Sequence, residues 1–187
     1  MKVLTGELRG RSLTFRPNAA LRPTADRVRK AVMDALREGL AGKNVLDLFS
    51  GTGALGIEAL SLGAANVVFV EQNSAQARQI AANLRELGVD DRANVLADDA
   101  ETAARRLAGE GETFDFIFLD PPYGSGLGAK VLSDAPGPLF GAGCIAMLET
   151  SPKEKIDPKA LLRWQPVQDK RYGDTRVQYF RFKEAAG

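Results

Sequence analysis

Two short segments hold residue types that could do chemistry. The first, Asp47-Leu48-Phe49-Ser50-Gly51-Thr52-Gly53-Ala54-Leu55-Gly56, places glycines at G-x-G-x-x-G spacing directly after an apolar run. Where a strand turns into a helix, glycines at this spacing let the backbone turn tightly and come close to a ligand. An acid ending the next strand can bind ribose hydroxyls, and Glu71 stands 20 residues after Gly51. Together these features read as a site for an adenosine-containing cofactor, with NAD still open. The second segment, Asp120-Pro121-Pro122-Tyr123, follows the strongly apolar run Phe114–Leu119. An open α/β sheet presents its ligand crevice at the carboxyl ends of such strands.

Asp47 lies four residues before Gly51. A carboxylate there repels a pyrophosphate and welcomes a cationic amino-acid group. With the Asp-Pro-Pro-Tyr segment, it moves the expected cofactor from NAD to S-adenosyl-L-methionine (AdoMet). The expected cofactor-binding residues are Asp47, Gly51, Gly53 and Glu71.

The elements that must position these residues follow from the apolar pattern. Val45–Phe49, Val67–Val70, Asn94–Ala97, Phe114–Leu119 and Cys144–Leu148 read as successive strands with helices in the gaps. This predicts an α/β, Rossmann-like chain with a mostly parallel sheet. Val177–Phe182, after the turn-like Tyr172-Gly173-Asp174-Thr175, predicts a C-terminal antiparallel hairpin. Ahead of the sheet, Lys2-Val3-Leu4 and Ser12-Leu13-Thr14-Phe15 flank Arg9-Gly10-Arg11 and suggest a small β-hairpin with a basic tip. Pro23-Thr24 then opens a helix, with Thr24 as its cap, Asp26 in its first turn, and Val28, Val32, Ala35 and Leu36 on its apolar face.

Composition narrows the chemistry further. The chain has 187 residues, the size of one domain, with 44% apolar and 26% charged residues. It contains no histidine, which removes Ser-His-Asp and Cys-His catalysis and histidine-ligated metals, and no metal site is expected. One cysteine, Cys144, sits in an apolar run, so an internal disulfide is excluded and a reducing compartment is expected. There is no 18-residue apolar span, which reads as a cytoplasmic protein with no membrane partner. Residues 1–37 carry nine Lys/Arg against three Asp/Glu, while the remainder has 16 against 21. Such polarity points to a nucleic-acid-facing arm on an acidic body. The expected division is a basic extension over 1–40 and a cofactor-binding domain over 41–187.

Asp120-Pro121-Pro122-Tyr123 after the fourth strand and the glycine loop after the first resemble the class I AdoMet-dependent amino-methyltransferases. More narrowly, Arg9–Leu13, Leu21–Arg29 and Asp47–Leu60, in this order, resemble the RsmD family, whose members methylate N2 of a guanine in bacterial 16S ribosomal RNA. The resemblance implies a class I methyltransferase fold, catalysis by Asp120, Pro121, Pro122 and Tyr123, and an adenine contact from an acid after the third strand. Asp98 and Asp99 compete for that contact, and the family pattern favours Asp99. It further implies a 16S rRNA or assembling small ribosomal subunit as partner, and a monomer is expected.

The chemistry suits these residue types. The Asp120 side chain and the Pro121 carbonyl can accept both N–H groups of an exocyclic amine, and Tyr123 offers a stacking face. Arg9, Arg11, Arg22, Arg27 and Arg29 are the expected RNA phosphate contacts. The target should be an unpaired or flipped nucleotide. A DNA adenine-N6 methyltransferase shares the acceptor loop, an NAD-dependent oxidoreductase shares the glycine loop, and a non-catalytic RNA-binding protein could keep the fold. Glu149, ending the fifth strand, and the Tyr172–Thr175 loop carry no assigned role at this level.

Overall fold

Short runs of β-branched and aromatic residues, bounded by glycine and polar turns, form the strands. The computed structural model of the chain describes residues 1–14, 23–156 and 161–183. Among these, one sheet contains β1 (Asn44–Asp47), β2 (Asn66–Val70), β3 (Ala93–Leu96), β4 (Phe114–Leu119), β5 (Phe140–Thr150), β6 (Trp164–Tyr172) and β7 (Thr175–Phe182). The order is β3-β2-β1-β4-β5-β7-β6. Neighbours from β3 to β5 pair in parallel, and β7 runs antiparallel to both β5 and β6. The mostly parallel sheet and its C-terminal hairpin match the expected fold. Strand order reverses between β1 and β4, the kind of switch point at which such sheets bind ligands.

Helices cover both faces. Helices α1 (Pro23–Leu40), α2 (Ala54–Ser61) and α3 (Ser74–Leu87) share a core with Val45, Val67, Phe69 and Phe118. Helices α4 (Ala100–Gly109) and α5 (Leu127–Asp134) pack on the other face against Leu46, Val68, Val70 and Ile117. Burial of alternate residues on opposite faces explains why these strands read as continuous apolar runs. Cys144 is buried on the second face, and burial pushes its thiol up to about 12.

Helix α1 differs from expectation in detail. It starts at Pro23, so Thr24 is its second residue rather than the residue in front of it. Val28, Val32 and Leu36 are buried as expected, but Ala35 is exposed, and Met33 and Leu40 complete the buried stripe. Arg29 lies on the same stripe, one turn before Met33, and is only 7% exposed. It is therefore withdrawn from the expected RNA contacts: its guanidinium is committed inward.

The partner that draws Arg29 inward is Glu58 of α2, itself buried. Arg29 Nε stands 3.3 Å from Glu58 Oε1, an ion pair without aligned hydrogen-bond geometry. Arg29 also pairs with Asp26 at 3.1 Å and donates to the Lys2 carbonyl at 3.1 Å. The Glu58 carboxylate accepts the backbone N–H of Leu4 at 2.7 Å, that of Thr5 at 2.9 Å, and the Thr5 hydroxyl at 2.6 Å. Ser61 adds a second stitch, donating to the Thr5 carbonyl at 2.6 Å and accepting from Leu8 N–H at 2.9 Å. Between them Gly6 has φ +69°, and a Cβ there would meet the Ser61 carbonyl at 1.9 Å.

These contacts alter the expected N-terminal hairpin. One antiparallel bridge, Lys2 with Ser12, forms, supported by Val3 N–H to the Arg11 carbonyl at 3.0 Å and Leu13 N–H to the Met1 carbonyl at 2.8 Å. A longer ladder does not form because α2 takes the backbone donors of Leu4, Thr5, Glu7 and Leu8. Val3, Leu8, Leu13 and α1 share one hydrophobic core with the sheet. The expected boundary at 40/41 therefore does not divide the core.

Glu58→Gln should leave the buried Arg29 with only the half-exposed Asp26 as counter-charge and weaken the acceptor for Leu4 and Thr5. Breaking one side of a buried pair costs about 3–5 kcal/mol. Urea unfolding should show a lower midpoint for the variant; an unchanged midpoint would show that the arm is held by something else.

Candidate active site

A crevice of about 830 Å³ opens at the carboxyl ends of β1 to β5, beside the switch point. Its walls are supplied by Leu48, Phe49 and Gly51 after β1, Glu71 and Gln72 after β2, and Asp98 to Ala100 after β3. Asp120 to Tyr123 follow from β4, Glu149 from β5, and Gly173 to Thr175 from the β6–β7 turn. Segments more than 100 residues apart in sequence thus meet because parallel strands all end at one rim.

The glycine loop is fixed from behind. Gly51 and Gly53 have φ +52° and +77°, which side chains rarely adopt. Glu71 accepts Gly51 N–H at 2.9 Å through Oε2 and Asn73 N–H at 2.7 Å through Oε1, so it ties β2 to the loop while lining the crevice. Asp47 accepts Gly56 N–H at 3.2 Å through Oδ2, while its Oδ1 is buried with no hydrogen-bond partner. Asp47 and Gly53 stand behind the wall rather than in it. Asp47 is 1% exposed, and Gly53 backs onto Ile80.

The acids after β3 have separate engagements. Asp99 caps α4, accepting Thr102 N–H at 3.0 Å, and that bond holds its carboxyl below the usual range. Asp98 accepts Asp99 N–H at 2.9 Å and faces Arg106 at 3.7 Å. Both line the crevice.

In the Asp-Pro-Pro-Tyr loop, the Tyr123 hydroxyl donates to Glu149 Oε1 at 2.7 Å and lies 2.9 Å from Thr175 Oγ1. The ring is thus fixed at its hydroxyl end while the residue remains 43% exposed. Glu149 and Thr175 were not assigned this role from sequence. The usable signal was positional, since both lie where a strand meets the rim.

Charge in the crevice is of one sign. Asp120 is open to the cavity yet ringed by protein, and this enclosure, followed by repulsion from Glu149 and Asp47, pushes its carboxyl up to about 8. Burial also raises Glu149. Asp47 is pushed up to about 7, chiefly by burial and to a lesser degree by Glu71. A concave site with raised carboxyls is built to receive positive charge.

Of the expected RNA contacts, Arg9, Arg11 and Arg27 are exposed, and Arg11 donates to the Glu86 carbonyl at 2.9 Å. Arg22 lies outside the described residues. Among the described residues no His/Cys/Asp/Glu group could hold a metal ion, and no helix is long and apolar enough to cross a membrane.

The raised carboxyl of Asp120 sets a direction for pH. An aspartate in the unfolded chain loses its proton near about 4, whereas the folded one keeps it to about 8. Between these values the folded state binds the extra proton, so stability falls as pH rises. Asp120→Asn lacks this slope. Its melting temperature relative to wild type should climb from about pH 5 to about pH 8 and then level off; a constant difference would remove Asp120 from the acidic cluster.

The family model described as Conserved hypothetical protein 95 matches residues 1–181. YlbH of Bacillus subtilis (strain 168), described as a candidate rRNA methyltransferase, is 38% identical over 123 residues, 66% of this chain and 67% of that protein. Ribosomal RNA small subunit methyltransferase D of Escherichia coli (strain K12) is 36% identical over 127 residues, 68% of this chain and 62% of that protein. The alignments therefore span about two thirds of the length of these relatives. The structure of yhhF from Escherichia coli, described as a candidate methyltransferase, superposes with a TM-score of 0.81 at 26% identity, covering 99% of each chain. The architecture is that of the Rossmann-like class I methyltransferases. With a match that takes in every element around the crevice, the chain belongs to the Conserved hypothetical protein 95 family, the RsmD-type methyltransferases.

Proposed function

We propose that this protein transfers a methyl group from AdoMet to the exocyclic N2 of a guanine in 16S ribosomal RNA. The observation that carries the reading is the meeting of the glycine loop and the Asp-Pro-Pro-Tyr loop in one acidic crevice. A dinucleotide would bring a pyrophosphate into a crevice whose described lining holds several acids and no Lys or Arg, which disfavours the oxidoreductase alternative. The residues present fit a cationic cofactor. Asp47 offers a buried carboxylate oxygen without a partner, Gly51 admits a close backbone approach, and Glu71 and Asp99 supply acceptors at the rim. Relatives named for rRNA methylation, one of them for the small subunit, support the substrate class.

When bound, AdoMet supplies a methyl group already activated by positive sulfur and keeps the departing bonding pair on that sulfur. The chain's own residues then address the weak partner, an amine whose lone pair is delocalised into the base. Asp120 and the Pro121 carbonyl accept its two N–H groups and turn the lone pair toward the methyl for in-line displacement. The surplus proton leaves nitrogen for Asp120, which a bound cation keeps ionised beforehand, and passes from there to solvent. Pro121 and Pro122 stiffen the loop. Tyr123 stacks on the base, and Glu149 and Thr175 hold its hydroxyl so that the ring presents a fixed face. Arg9, Arg11 and Arg27 grip the backbone of an unpaired or flipped nucleotide.

Glu71→Ala removes acceptors for the ribose and a tie to the glycine loop, so AdoMet affinity should fall by about tenfold or more, as hydrogen bonds to a charged group are worth about 1.5–3 kcal/mol. Unchanged calorimetric binding by the folded variant would reject the assignment.

Asp120→Ala should keep AdoMet binding and lose about 10²–10³ in methyl transfer to small-subunit RNA. Mass-spectrometric mapping of N2-methylguanosine in 16S rRNA, with and without the gene, checks base and position together. Near-normal turnover by Asp120→Ala would sink the mechanism, and an unchanged methylation map would sink the substrate.

A further inference from the structure

The N-terminal arm is not the chain's only cationic region. Residues 163–183 carry six Lys/Arg against two Asp/Glu and form the β6–β7 hairpin. Strand β6 is the outer edge of the sheet, and every residue from Gln165 to Arg171 is exposed. Exposure on both faces means that this edge strand extends past the helices, while its partner β7 is paired with β5 and buried from Val177 to Phe180. The hairpin turn, Gly173 to Thr175, lines the crevice directly.

The hairpin's charges divide into committed and uncommitted ones. Arg176 is held by Asp169 through contacts of 2.6 and 3.1 Å, and Arg163 by the carbonyls that end α5. Lys170 and Arg171 remain next to the turn. They pair across the hairpin with Val177 and Arg176 and project from opposite faces, because successive strand residues alternate. Arg171 donates through Nε to the Gly173 carbonyl at 3.1 Å, which holds its guanidinium against the turn that lines the crevice.

We infer that the β6–β7 hairpin is a second RNA-backbone contact, separate from the N-terminal arm, with Lys170 and Arg171 on phosphates at the rim of the crevice. This rests on the methyltransferase reading above. The hairpin turn lies at the crevice rim, whereas the arm is stitched to the last turn of α2 and Arg11 reaches the last turn of α3, near the amino ends of β2 and β3. The crevice floor itself is acidic and repels a polyanion. Cations on the hairpin therefore hold the backbone away from the floor while one base enters. Lysine and proline on an edge strand also discourage strand-to-strand aggregation, and Pro166 and Lys170 serve that purpose as well. That need is met by charge of either sign, whereas RNA requires positive charge, and this difference makes the two separable.

Lys170→Glu/Arg171→Glu keeps the edge charged and reverses its sign. In the full chain, AdoMet affinity, sedimentation and kcat should stay at wild-type values, while KM for small-subunit RNA rises about tenfold or more. The log–log salt slope of RNA binding should fall by about 1.4–1.8, since each phosphate contact contributes about 0.7–0.9. Lys170→Ala/Arg171→Ala should lower the slope by a similar amount, since it removes the same two contacts, and raise KM by less. Wild-type KM and slope in the folded reversal variant would overturn the hairpin contact alone. A wild-type protein that neither binds nor methylates small-subunit RNA would overturn the parent reading, and the hairpin contact with it.

Discussion

Helix α2 presses on β2 so closely that a Cβ at Gly56 would sit 2.2 Å from the Phe69 ring. Only glycine permits that approach, and much of the molecule hangs on it. The closeness brings Gly56 N–H within reach of Asp47 and settles the preceding glycine loop into positive φ. It also sinks the whole length from Gly56 to Ser61 into the interior, carrying Glu58 with it. A buried carboxylate demands partners, and it finds them in Arg29 and in the backbone of residues 4 and 5. Cofactor loop and N-terminal arm are therefore positioned by opposite sides of one short helix.

Much of this was legible in the sequence, for physical reasons. Parallel strands buried on both faces read as apolar runs, so β1 to β5 declared themselves. The crevice followed from topology: glycines after one strand and Asp-Pro-Pro-Tyr after another must converge when both strands end at the same rim. Charge counting was a weaker guide. It placed Arg29 among the surface cations because it summed over a segment, whereas the helical spacing from Arg29 to Met33, Leu36 and Leu40 puts it on the buried stripe. Glu58, an acid within an otherwise apolar helix, was the complementary signal. The C-terminal hairpin was expected, but the residues of its first strand, β6, were not delimited because a strand exposed on both faces has no alternation to detect.

The electrostatic design is one of opposed regions. An acidic floor is formed by Asp120, Glu149 and the buried Asp47, and the basic β6–β7 hairpin turns at its rim. In isolation the floor works against the fold, since enclosed carboxyls repel one another at neutral pH. A cation at the floor relieves that repulsion, while a polyanion is tolerated only at the rim. Ligand order and orientation thus follow from where each sign of charge is buried.

Cys144, enclosed on the sheet's second face with a thiol that stays protonated at ordinary pH, has a practical consequence. The native chain presents no reactive sulfur to the solvent. Two introduced cysteines, one on the arm and one on the hairpin, would be the accessible labelling positions, so a fluorophore pair could report the distance between the two basic regions as RNA arrives, without first stripping the protein of its own thiol.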